Sequence, residues 1–339
     1  MKIIGCDFHP SFQQIAMLDV ETGEYTRKKL LHASGEAAEF YRQLGEEGDR
    51  VRVGIEATGS TRWFERLLEE LGQELVMGDA ARIRASCVRR QKTDARDAEQ
   101  LLRLLERGQF PSIWVPSGEE RDLRELVLHR HKLVQMRTRI KNQLQHVALN
   151  EGLQKKRQLW TRQGRQWLEA LPLPPWTERR REDLLHFLDE LEGKIGELDR
   201  AVSEAASQDA RVQLLQTHPG VGPVTALAFA LIVGEISRFR RSKHLTSYLG
   251  LIPSEASSGV RRRLGAISKQ GNTLLRTLLV EAGQSAARCD PELKRAYQRL
   301  CRKKAAHGHG QSDGGAQTGG AALLDVENPA AVLAGSHAE

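Results

Sequence analysis

KIIGCDF at residues 2–8 opens a run that continues with QQIAMLDV (13–20), ETGE (21–24) and YTRKKLL (25–31). The first segment is rich in β-branched and apolar residues and ends in an acid, Asp7. The next two are apolar-rich segments joined by a glycine-containing turn, the pattern of strands folding back on one another. Beyond them, SGEAAEFYRQLGEE (34–47) reads as a helix with Ser34 as its cap, and RVRVGIEATG (50–59) as a fourth strand ending in Glu56 and a glycine turn. STRWFERLLEELG (60–72) is an amphipathic helix closed by Gly72, and ELVMGD (74–79) a fifth strand. Three consecutive strands, then helix, strand, helix, strand, predict a mixed sheet with helices packed on it.

Ligands of open sheets with parallel strands bind beyond the carboxyl ends of those strands. If the first and fourth strands are parallel neighbours, Asp7 and Glu56 project from one edge. RRQKTDARDAEQLLRLL (89–105) then starts a helix with two acids, Asp94 and Asp97, three residues apart on one face. Alone, this pair admits three readings: a cap with first-turn acids on a positive helix end, ion pairs with Arg90 or Arg96, or a metal site. Four acids at one edge would raise one another's pKa values unless a cation sat among them. Mg²⁺, which takes hard oxygen ligands and keeps several waters, resolves the conflict, with Mn²⁺ as its substitute. Two such ions about 4 Å apart can clamp a phosphodiester.

The whole chain has 339 residues, enough for two domains and a linking element. Its net charge of +7 suits a polyanionic partner without specifying one. Cys6, Cys87, Cys289 and Cys301 are scattered and form no zinc-ligand pattern. No leader is evident, and the longest apolar run, VTALAFALIVG (224–234), is too short to span a bilayer. A cytoplasmic protein with no membrane association is expected. Residues 118–152 form a long basic helical stretch, and 183–206 a long acidic one, on either side of LPLPPW (171–176). They read as an antiparallel arm or coiled-coil oligomerisation element. The block from 216 to 300 reads as compact and helical. The glycine-rich tail beyond 304 lacks the apolar content to fold.

The segments IIGCDFHPSFQQIAMLD, VGIEATG and KTDARDAEQLLRLL resemble the successive acidic motifs of the DEDD insertion-sequence transposases, a family that includes the Piv DNA invertases. HPGVGPVTALAFALIVGEISRF, HLTSYLGLIPSEASSG and RLGAISKQGNTLLRTLLVEA are similar to that family's second domain. Each short string is common; their succession in the family's order is specific. The resemblance implies an α/β plus α fold class. An RNase H-like, RuvC-like mixed-sheet catalytic domain would span 1–115, a coiled-coil arm 116–212, a helical serine-bearing domain 213–303, and a disordered tail 304–339. It also implies that Asp7, Glu56, Asp94 and Asp97 bind Mg²⁺. Family members often carry a lysine near Pro10, which this chain lacks; Lys92 remains beside the third motif.

SEASSGVRRRLGAISKQG (254–271) is chemically loaded too. A serine hydroxyl needs a base, a metal or positive charge to become a nucleophile. Read on residues alone, this is a surface turn with a solvated basic run. The resemblance makes Ser258, or Ser257 next to it, the nucleophile that joins covalently to DNA, with Arg261, Arg262, Arg263, Lys269 and Lys92 against phosphates. G-V-G-P before a helix fits either a phosphate-holding turn or close helix packing. The resemblance further implies donor and target double-stranded DNA as partners, a structured guide RNA, and a homodimer or tetramer. The alternative within the same fold is a RuvC-like nuclease in which water attacks. An actin-like ATPase would need a glycine-rich phosphate loop after Asp7, and DFHPSF supplies none.

Overall fold

A computed structural model of the chain describes residues 1–46, 48–86, 93–152, 158–257 and 263–307. It divides into two compact units, Met1–Val115 and Pro116–Glu339.

The first unit is built on β1 (Lys2–Phe8), β2 (Phe12–Asp19), β3 (Tyr25–Leu31), α1 (Glu36–Glu46), β4 (Val51–Glu56), α2 (Arg62–Glu70), β5 (Glu74–Gly78), α3 (Ala80–Ala85) and α4 (Asp94–Glu106). The sheet order is β3-β2-β1-β4-β5. β2 runs antiparallel to both β1 and β3, while β4 runs parallel to β1 and β5. This mixed five-stranded sheet is consistent with the RNase H-like expectation. Ser34 does not cap α1; Gly35, at φ +76°, immediately precedes the helix.

Strand alternation divides the sheet's side chains between two faces. Ile4, Cys6, Val53 and Ile55 share one core with Tyr41 of α1 and Phe64 of α2. Ile3 and Ala16 share the other with Ala98, Leu102 and Leu105 of α4. On this second face α4 lies against glycine. A Cβ at Gly5 would overlap the carbonyl oxygen of Ala98 and the amide nitrogen of Leu102 and lie 2.9 Å from the Leu102 Cα. At Gly54 it would meet the end of the Leu105 side chain at 2.6 Å. Two adjacent strands therefore leave a bare bed, with the α4 backbone against Gly5 and side chains of Leu105 and Phe110 over Gly54.

The second unit contains α5 (Gly118–Asn150), α6 (Arg162–Glu169), α7 (Pro175–Gln208), α8 (Ala210–Gln216), α9 (Pro223–Val233), α10 (Ser242–Tyr248), β6 (Pro253–Glu255), β7 (Leu264–Ile267), α11 (Thr273–Cys289) and α12 (Pro291–His307). Ser117 and Glu120 form a capping box at the start of α5, each side chain bonding the other's backbone N–H. α5 and α7 run antiparallel: Arg130 pairs with Asp199, and Lys141 with Glu192 at 2.9 Å.

Three features depart from expectation. α7 starts at Pro175 rather than 183, because proline suits a first helical turn, where its missing N–H costs nothing. Val127 of α5 and Val202 of α7 also pack into one core with α9, so part of the long pair belongs to a bundle. The other end has its own cluster around Leu144, Leu168 and Leu185. The block read as purely helical holds the antiparallel β6–β7 hairpin. α9, the VTALAFALIV segment, is buried all round as a core helix. Among the described residues no helix is long and apolar enough to cross a membrane.

Candidate metal centre

Asp7 is the penultimate residue of β1, on the face that carries Ile3 and Gly5. Register pairs Cys6 with Ile55, so the next residues, Asp7 and Glu56, stand side by side at the ends of parallel strands. Glu56 shares the α4 face with Gly54 by the same alternation. α4, seated on Gly5 and Gly54, brings its first turn to this edge. Thr93 is its N-cap, in extended conformation and without a side-chain cap bond, and Asp94 and Asp97 occupy the first turn.

A side chain that sequence reasoning passed over completes the arrangement. His9 Nε2 lies 3.1 Å from Asp7 Oδ2 and 3.8 Å from Asp94 Oδ2. One ligand atom from each of Asp7, His9 and Asp94 falls within a 4.8 Å span. The His9 ring stacks on Phe12, centroids 4.5 Å apart and 23° from parallel. Its backbone N–H donates to the Phe12 carbonyl at 2.9 Å, closing the β1–β2 turn. The signal was available in D-x-H: in extended chain, residues two apart point to the same side.

Burial pushes the Asp7 carboxyl above its usual range; His9 pulls it back, and the charges of Asp97 and Asp94 push it up again. Asp97 is thus electrostatically part of the cluster, while Glu56 sits at the same edge outside the compact triad. The Asp7 side chain is 19 % exposed and that of Asp94 53 %. The site is anchored in the sheet and open on the helix side. Carboxylate oxygens plus one imidazole nitrogen, held together at an energetic penalty to the charged form of Asp7, fit a divalent cation.

In the second unit, Ser257 donates its hydroxyl to Glu255 Oε1 at 2.6 Å and accepts from the Arg263 backbone N–H at 3.1 Å. The Ala256 N–H donates to the Arg263 carbonyl at 2.9 Å. These bonds close the mouth of the β6–β7 loop. Ser258, Arg261, Arg262 and Lys92 lie outside the described residues. Lys269, exposed beyond β7, has φ +56°, an unusual backbone for a non-glycine residue. In G-V-G-P, Gly220 has φ +82°, and a Cβ there would lie 2.5 Å from the Ala282 carbonyl of α11. Close helix packing accounts for that glycine.

The chain is similar to known transposases in both units. Residues 4–151 match a family profile for DEDD-type IS110 transposases, and 212–298 match "Transposase IS116/IS110/IS902 family". A "Probable family 20 transposase" of Pseudomonas aeruginosa is 33% identical over 297 residues, 84% of each chain. The "Transposase for insertion sequence element IS1111A" of Coxiella burnetii is 28% identical over 85% of this chain and 78% of its own. The "Pilin gene-inverting protein" of Moraxella lacunata is 27% identical over 56% of this chain and 52% of its own. With those matches spanning the sheet that carries Asp7 and the hairpin before α11, the chain belongs to the IS116/IS110/IS902 family of insertion-sequence transposases.

Proposed function

We propose that this transposase cuts and rejoins DNA through a covalent phosphoserine, with Ser258 as nucleophile and the β1/β4/α4 edge as its metal-assisted partner. The observation that carries the reading is the meeting of Asp7 and Asp94, residues far apart in sequence, at one sheet edge. Asp7, Glu56, Asp94 and Asp97 are the residues that would hold Mg²⁺, or Mn²⁺ in its place. Bound there, the ion supplies a Lewis acid for phosphate oxygens and for charge on the leaving oxygen.

The chain's own part follows from its chemistry. The Ser258 oxygen forms a bond to phosphorus as the bond from phosphorus to the leaving deoxyribose oxygen breaks. The hydroxyl proton leaves to a base and the departing oxygen takes one up. Rejoining reverses these steps with a hydroxyl of the new strand. Arg261, Arg262, Arg263, Lys269 and Lys92 hold the phosphates flanking the reacting one. Ser257, tied to Glu255 and Arg263 N–H, sets where the loop with Ser258 begins. Donor and target duplexes are the substrates, a structured noncoding RNA directs the choice of site, and a dimer or tetramer holds the strands.

The test incubates the full chain with its element's end DNA and transcript and looks for a protein–DNA adduct stable to denaturant. The expected adduct disappears in Ser258→Ala and in Asp94→Asn. Strand cleavage that survives Ser258→Ala makes water the nucleophile and overturns the phosphoserine.

A further inference from the structure

We infer that His9 is a direct nitrogen ligand in the proposed metal centre and makes that centre favour Mn²⁺ over Mg²⁺. This rests on reading the β1/β4/α4 edge as a metal site; what is added is the imidazole and its consequence for ion choice.

The first argument is distance. Two ligands at right angles on an ion with bonds of about 2.1 Å stand about 3 Å apart. His9 Nε2 lies 3.1 Å from Asp7 Oδ2 and 3.8 Å from Asp94 Oδ2, so the nitrogen already occupies a position from which it can share an ion with both carboxylates. The second is orientation. The ring is held by stacking on Phe12, and the backbone N–H of His9 is fixed to the Phe12 carbonyl. Lys29 Nζ sits 4.0 Å from the Phe12 ring centroid, adding a second contact to the residue that holds the imidazole. A side chain stacked in this way and turned toward two carboxylates has lost much of the freedom it would otherwise lose on binding. The third is donor chemistry. Mg²⁺ strongly favours oxygen, whereas affinity for nitrogen-containing sites rises along the first transition row. One imidazole among carboxylates therefore raises Mn²⁺ affinity more than Mg²⁺ affinity.

An alternative role for the same geometry is a hydrogen bond from His9 to Asp7 with no metal contact, and pulsed electron paramagnetic resonance separates the two. The full chain is loaded with Mn²⁺ alone, without DNA or RNA. The expected spectrum shows ¹⁴N coupling from a coordinated imidazole, and Mn²⁺ binding is lost in Asp7→Asn. His9→Asp, which keeps an oxygen donor, is expected to retain bound Mn²⁺, lose the ¹⁴N coupling, and weaken Mn²⁺ relative to competing Mg²⁺ by about tenfold. Mn²⁺ bound in an Asp7-dependent manner with no ¹⁴N coupling overturns the ligand role and leaves the metal centre standing. Coupling that persists in His9→Asp overturns it as well. Mn²⁺ binding that is absent, or indifferent to Asp7→Asn, overturns the metal reading of the edge itself.

Discussion

The surroundings of Asp7 disfavour its ionised form. Burial and the charges of Asp97 and Asp94 raise its pKa, and His9 offsets only part of that cost. The sign for stability follows: a carboxyl whose folded pKa lies above the unfolded value destabilises the fold once pH climbs into the range where it ionises. Asp7→Asn is therefore expected to raise the thermal midpoint at neutral pH, by about 1 kcal/mol of stability, while abolishing strand cleavage. The gain should shrink as pH falls into the carboxylate range, where native Asp7 is itself neutral. Thermal melts at pH 7 and pH 4 check this, and a loss of stability at pH 7 would sink it. The edge where Asp7 and Glu56 end their strands was legible from alternation and strand order. His9 was legible in principle, because D-x-H places both side chains on one side of extended chain. Ser258 lies outside the described residues, and SEASSGVRRRLG shows no hydrophobic periodicity from which its surroundings could be read.

At the scale of elements, the position of α4 depends on what is missing beneath it. Gly5→Ala puts a methyl group into the backbone of α4 at Ala98 and Leu102, which cannot turn aside. A loss of about 1–3 kcal/mol is expected, together with weaker Mn²⁺ binding, as Asp94 is carried away from Asp7. Gly54→Ala meets the side chains of Leu105 and Phe110 rather than backbone, so a smaller loss is expected there. Equal effects of the two on the chemical-denaturation midpoint would count against a backbone seat. Glycine in a strand often marks a close backbone approach, so this bed was written in VGIEATG and KIIGCDF. The β6–β7 hairpin was not, because its strands are three and four residues long and almost wholly exposed. α8 allows a separate check. Asp209 caps it by accepting from Arg211 N–H at 2.8 Å, and bonds to the Arg211 side chain hold its pKa down. A depressed carboxyl stabilises the fold above its unfolded pKa, and the benefit fades as pH falls through the folded value. Asp209→Ala is expected to cost about 1 kcal/mol at neutral pH, with the gap to the native chain closing in acid.

Across the whole molecule the excess of cations is uneven, and its placement decides what it can bind. The chain carries 51 Lys and Arg against 44 Asp and Glu. From Leu126 to Asn150, α5 has no acid, and its cations are Arg130, Lys132, Arg137, Arg139 and Lys141. Arg130 and Lys141 are answered by Asp199 and Glu192 of α7. Lys132 and Arg139 are exposed, with Arg137 partly so, along the same helix. Cations committed to α7 stabilise the helix pair, whereas those facing solvent are free to displace counterions from a nucleic acid. This helix is therefore the surface to test for the proposed RNA partner. Replacing Lys132, Arg137 and Arg139 with glutamine is expected to weaken transcript binding at low salt and flatten the plot of log affinity against log salt, by about one unit per cation in contact. Replacing Arg130 with glutamine should leave that slope unchanged and lower the thermal midpoint instead, because its partner is Asp199. Filter binding from 50 to 300 mM salt distinguishes these outcomes. A slope that the triple replacement leaves untouched would put the RNA on another face and make the basic stretch of α5 a solvated surface.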